Sequence, residues 1–390
     1  MAQRPWAIIG NPENRRVAGF QHALKSRGLA PAVVLSYEDL LADSTALQSL
    51  PRSAIVRVES PGENLAVEHL LVQAGESAAK RENSCIYAGQ TLSQLPRDHG
   101  RIIAPRQWYL GYVTSMRDWA ATCSESSEQL WTTTADALAL QFDKPLCQTR
   151  CRQAGIPTPT PLGVISGFDE LCQKMSDQGI ERVFVKLANS SSASGVVALH
   201  RRRGEVSATT SVEVVQGARA VEMYNSLKIK RYTSTEEVQQ LIDALAAHRA
   251  CAEQWLPKAS LSGRVCDLRL LVIAGEPRHT VVRTSRSPLT NLHLGNRRGD
   301  IEEFWRRIPE EQQRQLWETC RRCARLFPES LHLGLDVLFT PGFRSHYLLE
   351  INAFGDLLPN VVHRGVNAYE AEVEAVLGGW SPASPTKRIA

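Results

Sequence analysis

The stretch Leu331–Asp356, LHLGLDVLFTPGFRSHYLLEINAFGD, decides how the chain reads. Leu333–Phe339 is an apolar, strand-forming run, Pro341-Gly342 is turn chemistry and Tyr347–Ile351 is a second apolar run, so the stretch predicts a β-hairpin. Asp336 stands inside the first run, and Glu350 and Asn352 occupy alternate positions of the second. Alternate residues of a strand share a face, so three oxygen-bearing side chains are expected on one side of two greasy strands. A buried carboxylate without a partner is costly, and the arrangement asks for a cation. Hard oxygen ligands in this number suit Mg²⁺ shared with phosphates. The plain alternative is an edge hairpin with polar surface residues.

Working outward, 390 residues predict two or three lobes rather than one core. A hydrophobic content of 43% with 22% charged residues is that of an ordinary globular chain. The formal charge of +4 suits anionic small molecules such as nucleotides and does not argue for nucleic acid. Nine scattered cysteines predict reduced thiols in a cytosol, not a disulfide framework. The lone C-x-x-C of Cys320 and Cys323 lies in a helical, Arg-rich segment with no second pair, and Cys147 and Cys151, one helical turn apart, read as packing. The apolar runs are short and broken by charge and MAQRPWAIIG lacks a signal-peptide core, so no membrane partner and a cytoplasmic location are expected. The tail SPASPTKRIA, 381–390, reads as frayed.

At the other end, Trp6–Ile9 reads as a buried strand, Asn14–Arg27 as a helix ended by Gly28, and Ala32–Leu35 and Ala54–Val58 as further strands. This βαβ rhythm predicts a small parallel α/β sheet, with Gly10–Arg16 at the carboxyl end of its first strand, where such sheets bind ligands. Arg15 and Arg16 there read equally as an anion site or as two solvated arginines. Trp108, Tyr109, Tyr112, Trp119 and Trp131 form a dense aromatic segment that reads as core or interdomain packing. A boundary is expected near residue 140, followed by a helix from Lys144 to Gly155 with Asp143 as cap and Pro145 in its first turn.

Arg182–Lys186 is a strand ending in lysine, Asn189–Gly195 is the small-residue loop NSSSASG, and Val196–His200 is the returning strand. Such a loop offers backbone N–H groups and the hydroxyls of Ser190, Ser191 and Ser192 to phosphate oxygens, with the Lys186 ammonium beside them. The helix placed at Thr235–Arg249 starts with Thr235 in the capping position. Cys251–Leu256 reads as a strand whose Trp255 and Leu256 could bracket a planar base, or as an ordinary interdomain strand. In Val265–Ile273, Asp267 and Arg269 share a face and either pair on a solvated side or line a cleft. Arg283 stands inside an apolar strand and suits a phosphoryl group. Ser287–Asp300, with Asn291 and His293, is a polar loop, and one helix is expected over Ile308–Phe327.

In this order the pieces resemble the ATP-grasp superfamily from about Phe142 to Gly355, more than half the chain. The first lysine of that family is matched by Lys144 and the second by Lys186. The phosphate loop corresponds to Asn189–Gly195, the adenine-holding hinge to Glu253-Gln254-Trp255-Leu256, the D-x-R strand and its following arginine to Asp267, Arg269 and Arg283, and the metal hairpin to Asp336 with Glu350 and Asn352. The loop is richer in serine than in many members, and the ending Ala353-Phe354-Gly355-Asp356 replaces a small-residue-plus-proline ending, which offers Asp356 as a substrate contact.

What the resemblance implies is an α/β and α+β protein: a small parallel-sheet domain over 1–140, a lid lobe over 141–256 and a catalytic, metal-binding lobe over 257–380. The implied cofactors are ATP and Mg²⁺, and the implied reaction is carboxylate activation as an acyl phosphate, with release of ADP and capture by an amine or similar nucleophile. Lys144, Lys186, Ser190, Ser191, Ser192 and Gly195 would hold phosphates, and Glu253 to Leu256 adenine. Arg283 would meet the moving phosphoryl group, and Asp267, Arg269 and Asn291 would line the acceptor side. Rival readings are a small-molecule kinase, a ligase that modifies a peptide through a surface on 108–131, and a nucleotide-binding module without turnover. The expected partners are small-molecule or peptide carboxylates and amines, and a homodimer is compatible with the family.

Overall fold

The computed structural model describes residues 4–89, 92, 98, 100–124, 128–190, 194–216, 221–354 and 358–383. Ser191, Ser192 and Asp356, and the tail from residue 384, lie outside the described residues.

Four strands, β1 (Trp6–Ile9), β2 (Val33–Leu35), β3 (Ile55–Val58) and β4 (Leu130–Trp131), form a parallel sheet in the order β2-β1-β3-β4. Both β1 and β3 are buried along their whole length, as expected of a sheet covered on two faces. The helix Arg15–Ser26 follows β1, capped by Asn14, whose side chain accepts from Arg16 N. Successive connections leave β1 in opposite directions, which places a topological switch point between the carboxyl ends of β1 and β3. Asn11 ties the two loops there, its Nδ2 donating to the carbonyls of Pro61 and Gly62 at 2.9 and 3.1 Å.

The second sheet is antiparallel and has six strands: β5 (Pro161–Ile165), β6 (Arg182–Leu187), β7 (Val196–Arg202), β8 (Glu205–Gln216), β9 (Val221–Tyr232) and β10 (Ala250–Gln254), in the order β5-β10-β6-β7-β8-β9. Its helices Phe168–Asp177 and Thr235–Ala246 pack Leu171, Met175, Val238, Leu241, Ile242 and Leu245 onto the inner face. Ser234, not Thr235, caps the second of these, because it is the last extended residue and its hydroxyl reaches Glu237 N. The strand expected to reach Leu256 stops at Gln254.

The third sheet holds β11 (Ser260–Leu261), β12 (Arg264–Ile273), β13 (Glu276–Ser285), β14 (Arg297–Arg298), β15 (His332–Phe339) and β16 (His346–Asn352), in the order β14-β13-β12-β15-β16 with β11 beside β12. The helix expected over Ile308–Phe327 spans Glu310–Leu326, and a shorter helix not read from the sequence, Ile301–Arg307, precedes it across Pro309, which cannot continue a helix begun before it. Leu316, Cys320 and Cys323 of the second pack on β12, β15 and β16 in one core. The helix Ala368–Leu377 returns to the first sheet and shares its core with Trp6, Phe20 and Ile273.

The aromatic segment is packing, as its density implied. The helix Pro105–Ser124 buries Tyr109, Tyr112 and Trp119 completely or nearly so. Trp108 stacks on Tyr112 at 5.6 Å, and both approach Phe142, which lies 5.6 Å from Phe354. Trp108 also lines the large cleft described below. Among the described residues no helix is long and apolar enough to cross a membrane.

Candidate active site

The hairpin forms as its alternation predicts. β15 and β16 pair with Asp336 opposite Glu350 and Gly334 opposite Asn352, so the three oxygen-bearing side chains share a face. A bulge at Leu349 breaks the register beside Asp336, a common device for re-aiming a side chain at a site. Asp336 is not an unpartnered carboxylate, however. Arg269, its cross-strand neighbour on β12, forks onto it at 2.5 and 3.1 Å, and Arg283 Nη2 lies 3.2 Å away. Burial would raise the Asp336 pKa, but the two guanidiniums hold it below the ordinary carboxylate range. Glu350 faces Lys144 at 3.2 Å, and Asn352 Nδ2 donates to Gly334 O at 3.3 Å, which leaves its Oδ1 as the acceptor end. A carboxylate, a second carboxylate and an amide oxygen on one face form a hard donor set that fits Mg²⁺. Among the described residues no group of three His, Cys, Asp or Glu side chains is placed to hold a metal ion.

Behind this face lies a second ion cluster. Asp267 is fully buried, directly across from Arg283 in the β12/β13 ladder, and accepts from its Nε at 2.8 Å. Its other oxygen accepts from Lys258 Nζ at 2.7 Å and from the Thr290 hydroxyl. Burial pushes this carboxyl upward, yet Arg283 and Lys258 outweigh it and leave the pKa far below the usual range. Arg283 bridges Asp267 and Asp336, and those carboxylates raise its pKa against the effect of burial. Asp267 and Arg269, expected on one face, do both reach the cleft, but each pairs with a neighbouring strand rather than with the other.

The two lysines enter from different elements. Lys144 opens the helix Lys144–Gln153; its N–H donates to Ala188 O at 3.1 Å and its ammonium to Ser190 O. Asp143 caps that helix and is itself clamped by Arg106 at 3.2 Å and Arg249 at 2.5 Å. Lys186, near the end of β6, pairs with Glu253 on the adjacent β10, and Gln148 Nε2 holds the other carboxylate oxygen at 3.0 Å. Burial opposes the Lys186 charge, but Glu253 and Glu350 raise its pKa. The Ser190 hydroxyl is taken up by Leu187 O and Ser194 O inside its own loop. Gly195 sits at φ +69°, and a Cβ there would fall 2.3 Å from Leu187 Cδ1, so the loop closes only on glycine.

The two lysines and both ion clusters converge on one cleft of about 570 Å³. Of the described residues expected at the site, Lys144, Lys186, Ser190, Glu253, Gln254, Leu256, Asp267, Arg269, Arg283, Asn291, Asp336, Glu350 and Asn352 line it. Gly195 shapes the loop from behind. Trp255 turns away: its ring packs 5.4 Å from Phe184 under the Arg182 guanidinium, so Phe184 and Leu256, not Trp255, present apolar surface to the cleft. Lys258, Thr290 and Phe184 also line it without having been marked in the sequence. From the first sheet come Arg15, Arg16, Ser60, Gly62 and Glu63, at the switch point.

Residues 164–353 match the family model described as YheC/D-like ATP-grasp. A search of curated proteins returns no match. Among solved structures, the ATP-grasp ligase PsnB complexed with a phosphomimetic variant of minimal precursor, Mg and ADP aligns over 96% of this chain and 99% of its own, at 15% identity and TM-score 0.51. D-cycloserine synthetase DcsG aligns over 95% and 99%, at 12% identity and TM-score 0.54. D-alanine–D-alanine ligase from Bacillus anthracis, complexed with ATP, aligns over 97% and 96%, at 11% identity and TM-score 0.51. At such identities the likeness is one of fold. Together with the family match over residues 164–353, it gives this chain an ATP-grasp fold.

Proposed function

We propose that the protein is an ATP-dependent ligase that activates a carboxylate as an acyl phosphate, releases ADP and joins the acyl group to an amine. The observation that carries this reading is the convergence, in one cleft, of two lysines, the Ser190 loop, an arginine bridging two aspartates, and a three-oxygen face. Phosphoryl transfer needs alignment and stabilisation of negative charge more than covalent help. Lys144, Lys186 and the loop 189–195 hold the α/β-phosphates, and Phe184, Leu256 and the backbone of Glu253 and Gln254 enclose adenine. Arg283 meets the transferring phosphoryl group. Asp267 acts through Arg283 and Lys258 as a positioning residue, while Arg269 and Asn291 face the acceptor. Asp336, Glu350 and Asn352 hold Mg²⁺, which when bound neutralises phosphate charge.

Of the solved ligases named above, one is described in complex with a variant of a minimal precursor, one as a D-cycloserine synthetase and one as a D-alanine–D-alanine ligase. These descriptions support ATP-dependent carboxylate–amine ligation, with a peptide or a small molecule as substrate. All nine cysteines are free, which fits a reducing cytoplasm.

Substrate-dependent nucleotide turnover tests the reading. Release of ADP with a carboxylate and an amine is expected, whereas AMP would mean adenylation, and tight ATP binding without turnover a regulatory module. Glu350→Gln should abolish ADP formation with the fold intact by circular dichroism; undiminished turnover in that variant refutes the assignment. Lys186→Ala should weaken ATP binding in a calorimetric titration.

A further inference from the structure

Arg15 and Arg16, which the ligase reading leaves without a role, open the helix Arg15–Ser26 at the carboxyl end of β1. Both line the cleft, and Arg16 is half-buried there. No acidic residue stands in that first turn. The amino end of a helix already carries partial positive charge, so two guanidiniums there concentrate a potential that favours an anion. The neighbouring wall, from the loop after β3 and the helix Leu65–Ala74, is acidic: Glu63 and Glu68 line the same cleft. Glu68 is half-buried and accepts the Glu63 N–H. Burial raises its pKa, opposed by that N–H and, among the described residues, by no cationic side chain. The two walls touch. Asn14 Nδ2 donates to Glu63 Oε2 at 3.3 Å, and Asn11 Nδ2 ties the first loop to Pro61 O and Gly62 O. Asn11 is 1% exposed and its Oδ1 has no hydrogen-bond partner, a further acceptor in want of an N–H donor.

We propose that this end of the cleft binds the head group of a free α-amino acid, with its carboxylate on Arg15 and Arg16 and its ammonium on Glu68 and Glu63. The place is the topological switch point, where open α/β sheets take their ligands. A phosphate would answer the arginines but would meet two carboxylates, and a polyamine would do the reverse. An α-amino acid carries both charges on one carbon and satisfies both walls at once. A peptide offers one of these charges at each end and neither within the chain, so the site selects a small molecule over a precursor peptide. The inference deepens the ligase reading and rests on it for the amino acid's place as one of the two substrates, whereas binding itself needs no turnover.

The test is a calorimetric titration of the full chain, at saturating ADP and Mg²⁺, with the common α-amino acids in both enantiomers. The N-acetyl and carboxamide forms of each one that binds follow. A free amino acid should bind with a Kd under about 1 mM, and either blocked form about tenfold or more weaker, because each leaves a charged partner unmatched. In Glu68→Gln the gap between the free and N-acetyl forms should shrink below about twofold, and in Arg15→Met with Arg16→Met the gap between the free and carboxamide forms. Those arginines oppose the helix dipole, so their removal leaves the helix intact. ATP affinity, titrated separately, should stay within about twofold in both variants. No binding by any free amino acid, blocked forms that bind as well as free ones, or variants that weaken every ligand and ATP alike overturn the proposal. ADP release answers separately for the ligase reading. An amino acid that binds in this pattern while ATP stays intact, with the same panel as partners, counts against that reading and leaves the site standing.

Discussion

Replacing Asp267 by asparagine isolates the buried ion cluster from the rest of the site. Asp267 accepts from Arg283 at 2.8 Å and Lys258 at 2.7 Å. At an effective dielectric of about 20, each contact is worth roughly 6 kcal/mol of gross attraction, most of which only offsets the cost of burying the charges. The measurable effect is that of orphaning the cations. Arg283 keeps Asp336 at 3.2 Å, but Lys258 keeps only the Thr290 hydroxyl at 2.8 Å. Asp267→Asn should therefore sit near the lower end of the range for broken buried pairs, about 3 kcal/mol. Urea unfolding, followed by the fluorescence of Trp305 and Trp317, which lie 5.1 Å apart against the core of this lobe, reads the loss as a midpoint shift of roughly 1–3 M. Adding Lys258→Met removes the orphaned ammonium and should recover part of the loss, giving a clear coupling energy in the double-mutant cycle. The carboxyl pKa is depressed by folding, so its contribution is complete above the ordinary value of 3.8 and fades as pH falls below it. The variant should lack that acid-dependent part. A loss under about 1 kcal/mol together with strictly additive mutations would refute the reasoning.

Other expectations follow from the same physics. Glu372, fully buried between Arg57 and His332, is pushed up by burial but drawn down to about 2 by those neighbours from an ordinary 4.5. Its stabilisation, on the order of 3 kcal/mol at about 1.4 kcal/mol per pH unit, is complete above pH 4.5 and lost towards pH 2. Glu372→Gln should flatten that acid slope in Trp6 fluorescence, and a slope unchanged from wild type would contradict the assignment. Gly195→Ala places a Cβ at positive φ against Leu187 and should cost about 1–2 kcal/mol of loop strain, read as weaker ATP binding with little change in global stability. Arg106→Met removes a partner of Asp143 and of Asn189 Oδ1 and should loosen the Lys144 helix, visible as faster amide exchange over residues 143–147.

The parts of the site visible in the sequence were those set by local rules. The hairpin follows from period-two alternation around a Pro-Gly turn, and the loop 189–195 from its small residues. What stayed hidden depends on register and on distant partners. Nothing local says that Asp267 faces Arg283, because that pairing is set by the Gly275 turn and the register shift after Leu271. Lys258, which follows Pro257, went unmarked in the sequence, yet it supplies one of the two charges on Asp267. Asp336 read as an unpartnered carboxylate because its guanidinium partners lie 67 and 53 residues away. Trp255 was misplaced by a strand expected two residues too long.

The same dependence on distant partners ties in the first sheet, read in the sequence as part of a small domain over 1–140. Arg57, in β3, is wholly buried, with its Nε 3.0 Å from Glu372 and its Nη1 on Glu59. The other Glu372 oxygen lies 3.1 Å from His332 Nδ1, and His332 Nε2 lies 3.0 Å from Ala353 O. Charged groups this deep are stable only as a set, so β3, the closing helix and the first residue of β15 cannot separate without stranding an ion. One end of the set carries Glu59, whose neighbours Ser60 and Gly62 line the cleft; the other ends on the peptide after Asn352. The next ring, Phe354, packs on Phe142, two residues before Lys144. The three-oxygen face, the first lysine and the switch-point loops are therefore registered against one another by buried contacts. A side chain moved in any one of them displaces the opposing wall of the cleft.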